Sequence, residues 1–334
     1  MKFKCVHAVS MFCMVFFFSQ TVSAKVWRVN NNVGVSADFV QLSTAVANAA
    51  VQNGDTIYVE ASATSYNAVA LNKRLVLIGT GYFLSENTGL QANPNDAVVG
   101  SISLDSLASG SSLLGLRFNQ LFTNSNPDNI TITRCHISIS TNSALPNSRL
   151  SNWVINKSYL GNISFGNTFY IFEDLQITNC FVSGSFIIVS NINTLLRNNV
   201  FMNGVTTSNS YVANNIFINF SSPNFTNCTV KYNIAQANVL PAGNNNQNNV
   251  SQASLFILTG STDGKYQLKA GSPALAAGEP VNGEIPDCGP FGTADPYRLS
   301  GIPPIPTIYA FTVPVSIPSS ATTMTITVST RSNN

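Results

Sequence analysis

Glu173 and Asp174 are the only acidic side chains between Asn129 and Ala235. Hydrolysis of a glycosidic bond needs two carboxylates that face one substrate. Adjacent residues in a strand point to opposite faces of the sheet, so these two are not expected to form such a pair. Glu173 alone also makes a poor Ca²⁺ site, because Ca²⁺ takes six to eight oxygen ligands. The stretch is therefore poor in groups for hydrolysis or for metal binding.

Four basic residues of the same stretch offer a different chemistry, the binding of an anionic sugar chain. They fall at two repeat-equivalent positions, Arg134 and Lys157 at one and Arg197 and Lys231 at the position before it. A row of cations on neighbouring repeats would match a row of uronate groups. The same row is also typical of a solvated face that discourages strand pairing at an edge. The sequence leaves both interpretations open.

His136 is the only histidine after residue 7. The residues at its repeat-equivalent positions are aromatic or aliphatic, beginning with Tyr159 and Phe181. A histidine in such a row is more typical of a stacked, partly buried imidazole than of a catalytic base. No Ser-His-Asp set can be assembled around it.

These candidates are positioned by a degenerate repeat that runs from Asn129 to Ala235. It returns at intervals of 16 to 23 residues and can be anchored on Cys135, Ser158, Cys180, Asn199, Asn215 and Asn233. Three residues before each anchor the chain has an aliphatic residue: Ile132, Ile155, Ile177, Leu196, Val212 and Val230. Six residues before the anchor it has Asn129, Asn152, Asp174, Asn193, Asn209 and Asn227.

A period near 20 residues with short alternating strands favours a coil of parallel β-structure over a repeat of helical hairpins. Coils stack about 4.8 Å apart, so like residues lie on like. The aliphatic column then forms a continuous core. The Asn/Asp column predicts a structural ladder of hydrogen-bonded side chains at a turn.

The two ends of the chain suggest export and capping. Residues 1–24 have Lys2 and Lys4, an apolar stretch and Val22-Ser23-Ala24, the pattern of a signal peptide. The periodicity of residues 38–51 predicts an amphipathic helix that caps the N-terminal end of the solenoid. We divide the chain into a signal peptide (1–24), a β-helix domain (25–297) and a Pro-rich tail (298–334). The tail has two possible short strands, Ile308–Val315 and Met324–Thr330, either docked on the last coil or open to a partner.

Composition limits the partners. Without Lys2 and Lys4 the basic and acidic side chains are equal in number, so no nucleic-acid footprint is visible. No later apolar run has the roughly 18 residues of a membrane helix. Cys135 and Cys180 lie two coils apart, roughly 9 to 10 Å, and should stay reduced because a disulfide needs Cα atoms within about 7 Å. The spacing of the cysteines predicts no zinc site, and we expect a monomer.

The order of a helix, "NGDTIYVEAS" and "YNAVALNKRLVLIGTGYF", followed by Asn- and Cys-containing turns, resembles the right-handed parallel β-helix proteins of the pectin-lyase-like superfamily. The segments "LKAGSPALAAG" and "PDCGPFG" resemble the closing segment of secreted members. The tail is similar to the endings of surface β-helix proteins in Bacteroidetes-type bacteria. The resemblance implies an all-β, right-handed parallel β-helix, and it does not imply one activity.

Lyases of that superfamily use Lys or Arg as the base together with carboxylate-bound Ca²⁺. If this chain were an enzyme, the resemblance would make Arg134, Lys157, Glu173 and Arg197 the candidates, with Ca²⁺ as the only cofactor. Because carboxylate clusters are missing, the leading hypothesis is an exported, non-catalytic β-helix module at the cell surface or outside the cell. It would bind glycan or a protein partner, with Arg134, Lys157, Arg197 and Lys231 as ligand-binding candidates. A polysaccharide lyase or hydrolase and a purely structural surface rod are the alternatives.

Overall fold

The computed structural model describes residues 24–123, 125–141, 148–165, 170–219 and 223–333. All but the last residue of the predicted signal peptide lies outside these ranges.

Short strands separated by tight turns make up most of the chain. Those of the first half are β1 (Val26–Val29), β2 (Thr56–Val59), β3 (Val69–Leu71), β4 (Val76–Ile78), β5 (Val98–Leu104), β6 (Ser112–Leu114), β7 (Arg117–Thr123), β8 (Thr131–Thr133), β9 (His136–Thr141), β10 (Ser148–Ser151), β11 (Val154–Asn156) and β12 (Tyr159–Phe165). The second half adds β13 (Tyr170–Glu173), β14 (Gln176–Thr178), β15 (Phe181–Val182), β16 (Phe186–Ile188), β17 (Asn191–Ile192), β18 (Thr194–Arg197), β19 (Val200–Phe201), β20 (Val205–Ser208), β21 (Ser210–Ala213), β22 (Ile216–Phe217), β23 (Asn224–Thr226), β24 (Thr229–Lys231), β25 (Ile234–Ala235), β26 (Thr307–Thr312) and β27 (Thr327–Arg331).

Helices are few and short. They are α1 (Leu42–Ala47), α2 (Gln252–Leu255) and three 3₁₀ turns at Ser106–Ala108, Gly264–Tyr266 and Leu299–Gly301. Helix α1 lies inside the predicted range of 38–51 and is much shorter. It buries Leu42, Ala45 and Val46 and packs against β1 and β3 at the N-terminal end of the coil stack.

Strands β1 to β25 form three parallel sheets that wind into a solenoid, as the repeat predicted. The first sheet has the order β1-β2-β4-β6-β8-β11-β14-β18-β21-β24. The second sheet follows it around each coil and runs from β3 through β5, β7, β9 and β12 to β25. The third sheet is small, β10-β13-β17. Every pairing between coils is parallel, so the all-β parallel solenoid is confirmed.

The aliphatic column stacks as predicted. Ile132 pairs with Ile155, and Ile155 pairs with Ile177, in the registers of β8, β11 and β14. All six members of the column are at most 5% exposed. Because one such face is shared by every coil, the core is continuous along the solenoid.

The six residues of the Asn/Asp column lie at the turn that leads into the first sheet, and all have a left-handed backbone, with φ between 45° and 58°. Asn and Asp tolerate this conformation better than other non-glycine residues. Within the column, Asn193 donates a side-chain hydrogen bond to Asp174. The backbone conformation therefore accounts for the Asn preference.

A continuous ladder of side-chain amides lies instead in the anchor column, inside the solenoid. The backbone N–H groups of Asn199 and Asn215 donate to the Oδ1 atoms of Asn215 and Asn233, both at 2.9 Å. Their Nδ2 atoms donate to the same two oxygens at 3.0 Å. Asn246 continues the ladder beyond the last coil, since Asn233 donates to its Oδ1. The side-chain amides of Asn199, Asn215 and Asn233 are fully buried. An unpaired polar group there would be costly.

Cys135 and Cys180 occupy the same column in earlier coils. Both are free, as predicted, and so are Cys228 and Cys288. Burial raises the pKa of both Cys135 and Cys180 to about 12. They pack in the core as thiols.

After β25 the chain stacks once more on the last coil, through a parallel bridge between Ile234 and Gln247. It folds over the outer face of the second sheet, where Leu255, Phe256 and Tyr297 pack in one apolar cluster with Phe181 and Ile216. Residues 278–303, which we call the strap, then run back along the coils toward the N-terminal end. The strap spans the sequence boundary drawn at residue 297.

Strands β26 and β27 form an antiparallel hairpin beyond the strap. The hairpin is attached near residues 90–92, toward the N-terminal coils, through bonds from Ala92 N to Ile308 O and from Arg331 to Leu90 O. No helix among the described residues is long and apolar enough to cross a membrane.

Candidate functional site

The turn between the first and second sheets places one left-handed residue on each coil. In the repeat region these are Arg134, Lys157, Asn179, Asn198, Asn214 and Tyr232. The strap runs along this row. The predicted basic residues Arg134 and Lys157 therefore face another part of the same chain.

Three amides of the row hold the strap backbone. Asn214 Oδ1 accepts from Glu279 N at 2.7 Å, and Asn198 Nδ2 donates to Asp287 O at 3.1 Å. Asn179 Nδ2 donates to Pro290 O at 3.0 Å. As the strap proceeds from Glu279 to Pro290, it contacts successively earlier coils. It therefore runs from the C-terminal coils toward the N-terminal ones.

Arg134 holds the far end of the strap. Its Nη1 atom donates to Ile302 O at 2.6 Å, and the residue is only 4% exposed. Burial lowers the pKa of this guanidinium from its ordinary value, and nearby Arg298 adds to the effect while Asp295 opposes it. Arg134 is thus part of the packed interior between strap and coil.

The other three basic candidates meet carboxylates of the strap. Lys157 Nζ contacts the Asp295 carboxylate. Lys231 Nζ lies 2.6 Å from Glu279 Oε1, and Arg197 Nη2 lies 3.6 Å from Glu279 Oε2. Three of the four basic candidates therefore already have anionic partners supplied by this chain.

Glu279 is the strap carboxylate that contacts two of these cations, Lys231 and Arg197. Besides Lys231, the hydroxyl of Tyr211 donates to it at 2.7 and 2.8 Å. Burial alone would raise the pKa of this carboxyl, but the hydrogen bonds from Lys231 and Tyr211 and the charges of Lys231 and Arg197 leave the pKa below its ordinary value. The carboxylate is held in its ionised form.

The enzyme candidates do not converge. Glu173 ends β13 in the third sheet and pairs with Arg149 at 2.6 Å. Arg134, Lys157 and Arg197 lie at the opposite end of the first-sheet strands, at or next to the turn into the second sheet. Asp174, next to Glu173, occupies the left-handed turn. The length of a first-sheet strand therefore separates Glu173 from the basic candidates.

His136 stacks against aromatic rings, as its column predicted. Its ring centroid lies 4.8 Å from Phe83, 5.3 Å from Tyr159 and 5.6 Å from Tyr82. Burial, and to a smaller extent the charge of Arg117, lower its pKa to about 4. Its Nδ1 atom has no hydrogen-bond partner among the described groups. The imidazole is neutral at neutral pH.

An open groove lies on the outer face of the second sheet, across β7, β9, β12 and β16. It has a volume of about 410 Å³ and is lined by Asn119, Gln120, Ser138, Ile139, Ser140, Asn162, Ser164, Ser185 and Ile187. None of these residues is charged. The groove thus presents amide and hydroxyl groups from four neighbouring strands.

Two contacts fix the shape of the groove. Gln120 Nε2 donates to Ser140 Oγ at 2.5 Å, and Asn162 Oδ1 accepts from Ser185 N at 3.0 Å. The pairing of β9 and β12 shifts register between Leu160 and Ile163. Asn162, next to this shift, is exposed, and its Nδ2 donates to no group in the described part of the chain.

No group of three His, Cys, Asp or Glu side chains that could hold a metal ion occurs in the described part of the chain. The Ca²⁺ considered for a lyase therefore has no carboxylate cluster at Glu173.

Sequence reasoning missed the strap-binding amides Asn179, Asn198 and Asn214, and it missed the groove. For the amides a signal was present, because the position just before each anchor is polar or aromatic in every repeat. For the groove the signal was weaker, since Ser and Asn are frequent throughout the chain.

Comparison with protein-family models, with curated proteins and with solved structures gives no match to this chain.

Proposed function

We propose that this protein is an exported, non-catalytic β-helix module of the pectin-lyase-like type that binds a neutral glycan in the groove across β7, β9, β12 and β16. The observation that carries the proposal is the uncharged, hydrogen-bonding lining of an open groove. Hydroxyl and amide groups can both donate and accept. They therefore match the hydroxyl groups of a neutral sugar chain without requiring charge on it.

The contacts of the strap argue against an acidic glycan. The cations at Lys157, Arg197 and Lys231 have carboxylate partners from the strap. A uronate chain would have to displace Asp295 and Glu279 to reach them. The groove needs no such displacement.

The placement of the titratable groups supports a non-catalytic role. Glu173 ends β13 in the third sheet, the basic candidates lie at the far end of the first-sheet strands, and the ring of His136 stacks against aromatic rings. None of these groups lines the groove. A sugar bound there would meet no general acid or base.

The test is affinity electrophoresis of the purified protein in gels that contain neutral polysaccharides or uronate polymers. We expect retardation by at least one neutral polymer, with little dependence on salt because no ion pair is involved. Parallel incubations with and without Ca²⁺ should produce no new reducing or unsaturated ends.

Two variants place the binding in the groove. Asn119→Arg and Ser164→Arg put a long charged side chain at exposed groove positions, and each should weaken retardation at least tenfold. Gln176→Arg is the matched control, because Gln176 is exposed on the outer face of the first sheet. Retardation only by uronate polymers would overturn the proposal in favour of the basic row. New ends that disappear in Glu173→Gln would establish an enzyme, and no retardation by any polymer would favour a structural rod.

A further inference from the structure

Among the described residues, the hairpin of β26 and β27 holds the densest group of exposed apolar side chains. No residue from Leu299 through Thr330 is Asp, Glu, Lys or Arg. Its exposed large apolar side chains are Ile308, Tyr309, Phe311, Val313, Val315, Ile317, Met324, Ile326 and Val328. A two-stranded hairpin with both faces in water is at best marginally stable, so pairing with further strands would stabilise it.

One edge of the hairpin is open. Among the described strands β27 pairs only with β26, so the backbone groups on its other edge have no strand partner. Natural edge strands are protected by lysine, proline, bulges or inward-pointing charges. Strand β27 contains no Pro or Lys, and its one charged residue, Arg331, is at its end. This edge lacks the usual protection against pairing.

The base of the hairpin is fixed to the body. Arg331 donates to Leu90 O at 2.7 Å, and its guanidinium lies 5.5 Å from the Tyr309 ring. Asn333 donates to Ile305 O at 2.8 Å. These contacts hold the open edge in a defined orientation, which lowers the entropy lost when a partner strand pairs with it.

We infer that β27 pairs with β27 of a second copy of this chain, antiparallel, to give a continuous four-stranded sheet across a two-fold axis. The sequence suggested a monomer, and this inference replaces that expectation. It is independent of glycan binding in the groove.

A second copy fits the edge for reasons of charge and symmetry. Apart from Arg331 at its end, the edge is uncharged and offers nothing to a charged partner, whereas a copy of itself is uncharged over the same residues, Thr327 to Thr330. Antiparallel pairing of a strand with its own copy satisfies two-fold symmetry, so the assembly closes at two copies. With Ser329 on the axis, Val328 lies opposite Thr330 of the other copy, a neutral pair without repulsion.

The first experiment is sedimentation equilibrium of the purified protein from 1 to about 100 µM, a range that covers the affinity expected of a small interface. We expect the apparent mass to double across the range. Val328→Lys should shift the midpoint at least tenfold to higher concentration, because it places like charges within diagonal reach across the axis. Val33→Lys is the matched control, since Val33 is fully exposed and lies in the N-terminal turn.

A charge swap separates loss of pairing from loss of folding. Val328→Lys and Val328→Glu should each be monomeric alone, and an equimolar mixture should recover the doubled mass. A chain that stays monomeric at all concentrations overturns the inference. A doubling of the apparent mass that Val328→Lys leaves unchanged also overturns it. So does a protein that stays monomeric and floats with phosphatidylcholine vesicles through the hairpin.

Discussion

The hydroxyl groups of Tyr82 and Tyr297, 215 positions apart in the chain, share a buried hydrogen bond of 2.7 Å. Tyr297 also donates to Asp263 Oδ2 at 3.0 Å, and the backbone N–H of Ser300 donates to the same oxygen at 2.7 Å. A hydroxyl has a single O–H donor, so Tyr297, which donates to Asp263, accepts from Tyr82. This chain of bonds joins the strap to the N-terminal coils.

Tyr297→Phe should destabilise the protein by about 1–3 kcal/mol, because it removes two bonds and leaves buried groups on Tyr82 and Asp263 without that partner. Tyr82→Phe removes only one bond and should cost less, about 1 kcal/mol. Urea unfolding followed by circular dichroism measures both. Tyr309→Phe is the control, since Tyr309 is 38% exposed on the hairpin. Equal losses in all three variants would contradict the role given to the buried bond.

Asn215→Ala tests the interior ladder. Asn215 Nδ2 donates to Leu196 O at 2.9 Å, and its Oδ1 accepts from both nitrogens of Asn199. Removing the amide leaves several buried groups unpaired, so we expect a loss of roughly 3 kcal/mol or more. Thermal and urea unfolding give the value.

Asn215→Ser should lose less than Asn215→Ala. Ser158 occupies the equivalent position, where its Oγ accepts from Cys135 N at 3.0 Å and donates to Asn156 O at 2.8 Å. Asn67→Ala, at an exposed position, should stay within about 0.5 kcal/mol of the parent. If Asn215→Ala matched that small effect, the ladder would have no role in stability.

Asn152 tests the left-handed turn column. Its φ is 57°, a conformation that costs a β-branched residue about 1–2 kcal/mol. Asn152→Gly should therefore be nearly neutral, whereas Asn152→Val should lower the free energy of unfolding by that amount. The neighbouring Ser151 lies in strand β10, so Ser151→Val should be tolerated. Tolerance of valine at both positions would show that backbone conformation does not explain the Asn column.

The coil stack was predictable because its contacts repeat. Ile132, Ile155 and Ile177 recur at one position of successive repeats, and stacking then follows from the sheet spacing. The strap was not predictable in this way. The contact of Tyr82 with Tyr297 occurs once and joins distant residues, so no period reveals it.

The basic row shows a second limit of sequence reasoning. Lys231 and Arg197 were visible as a repeat-equivalent pair, and so was the alternative of a solvated face. Neither alternative included Glu279, which lies in a segment without repeats and reaches both side chains. The charge pattern identifies cations that need an anionic partner. It does not show whether that partner belongs to the same chain.

His136 gives the protein a defined pH dependence. Its folded pKa of about 4 is below the ordinary value near 6.5. As the pH falls, the unfolded chain binds the proton first, so stability is complete above about pH 6.5 and declines between pH 6.5 and 4. At 1.36 kcal/mol for each unit of pKa, the loss is on the order of 3 kcal/mol.

The measurement is the free energy of unfolding from pH 7 to pH 4 for the parent and for His136→Phe, which keeps an aromatic ring against Tyr82, Phe83 and Tyr159. Carboxylates titrate in both proteins, so the difference between the two curves isolates the imidazole. We expect that difference to change mainly between pH 6.5 and 4, in favour of the phenylalanine variant at low pH. An imidazole proton resonance that titrates near 6.5 in the folded protein would contradict the partly buried, neutral state, because that value requires an imidazole as well solvated as in the unfolded chain.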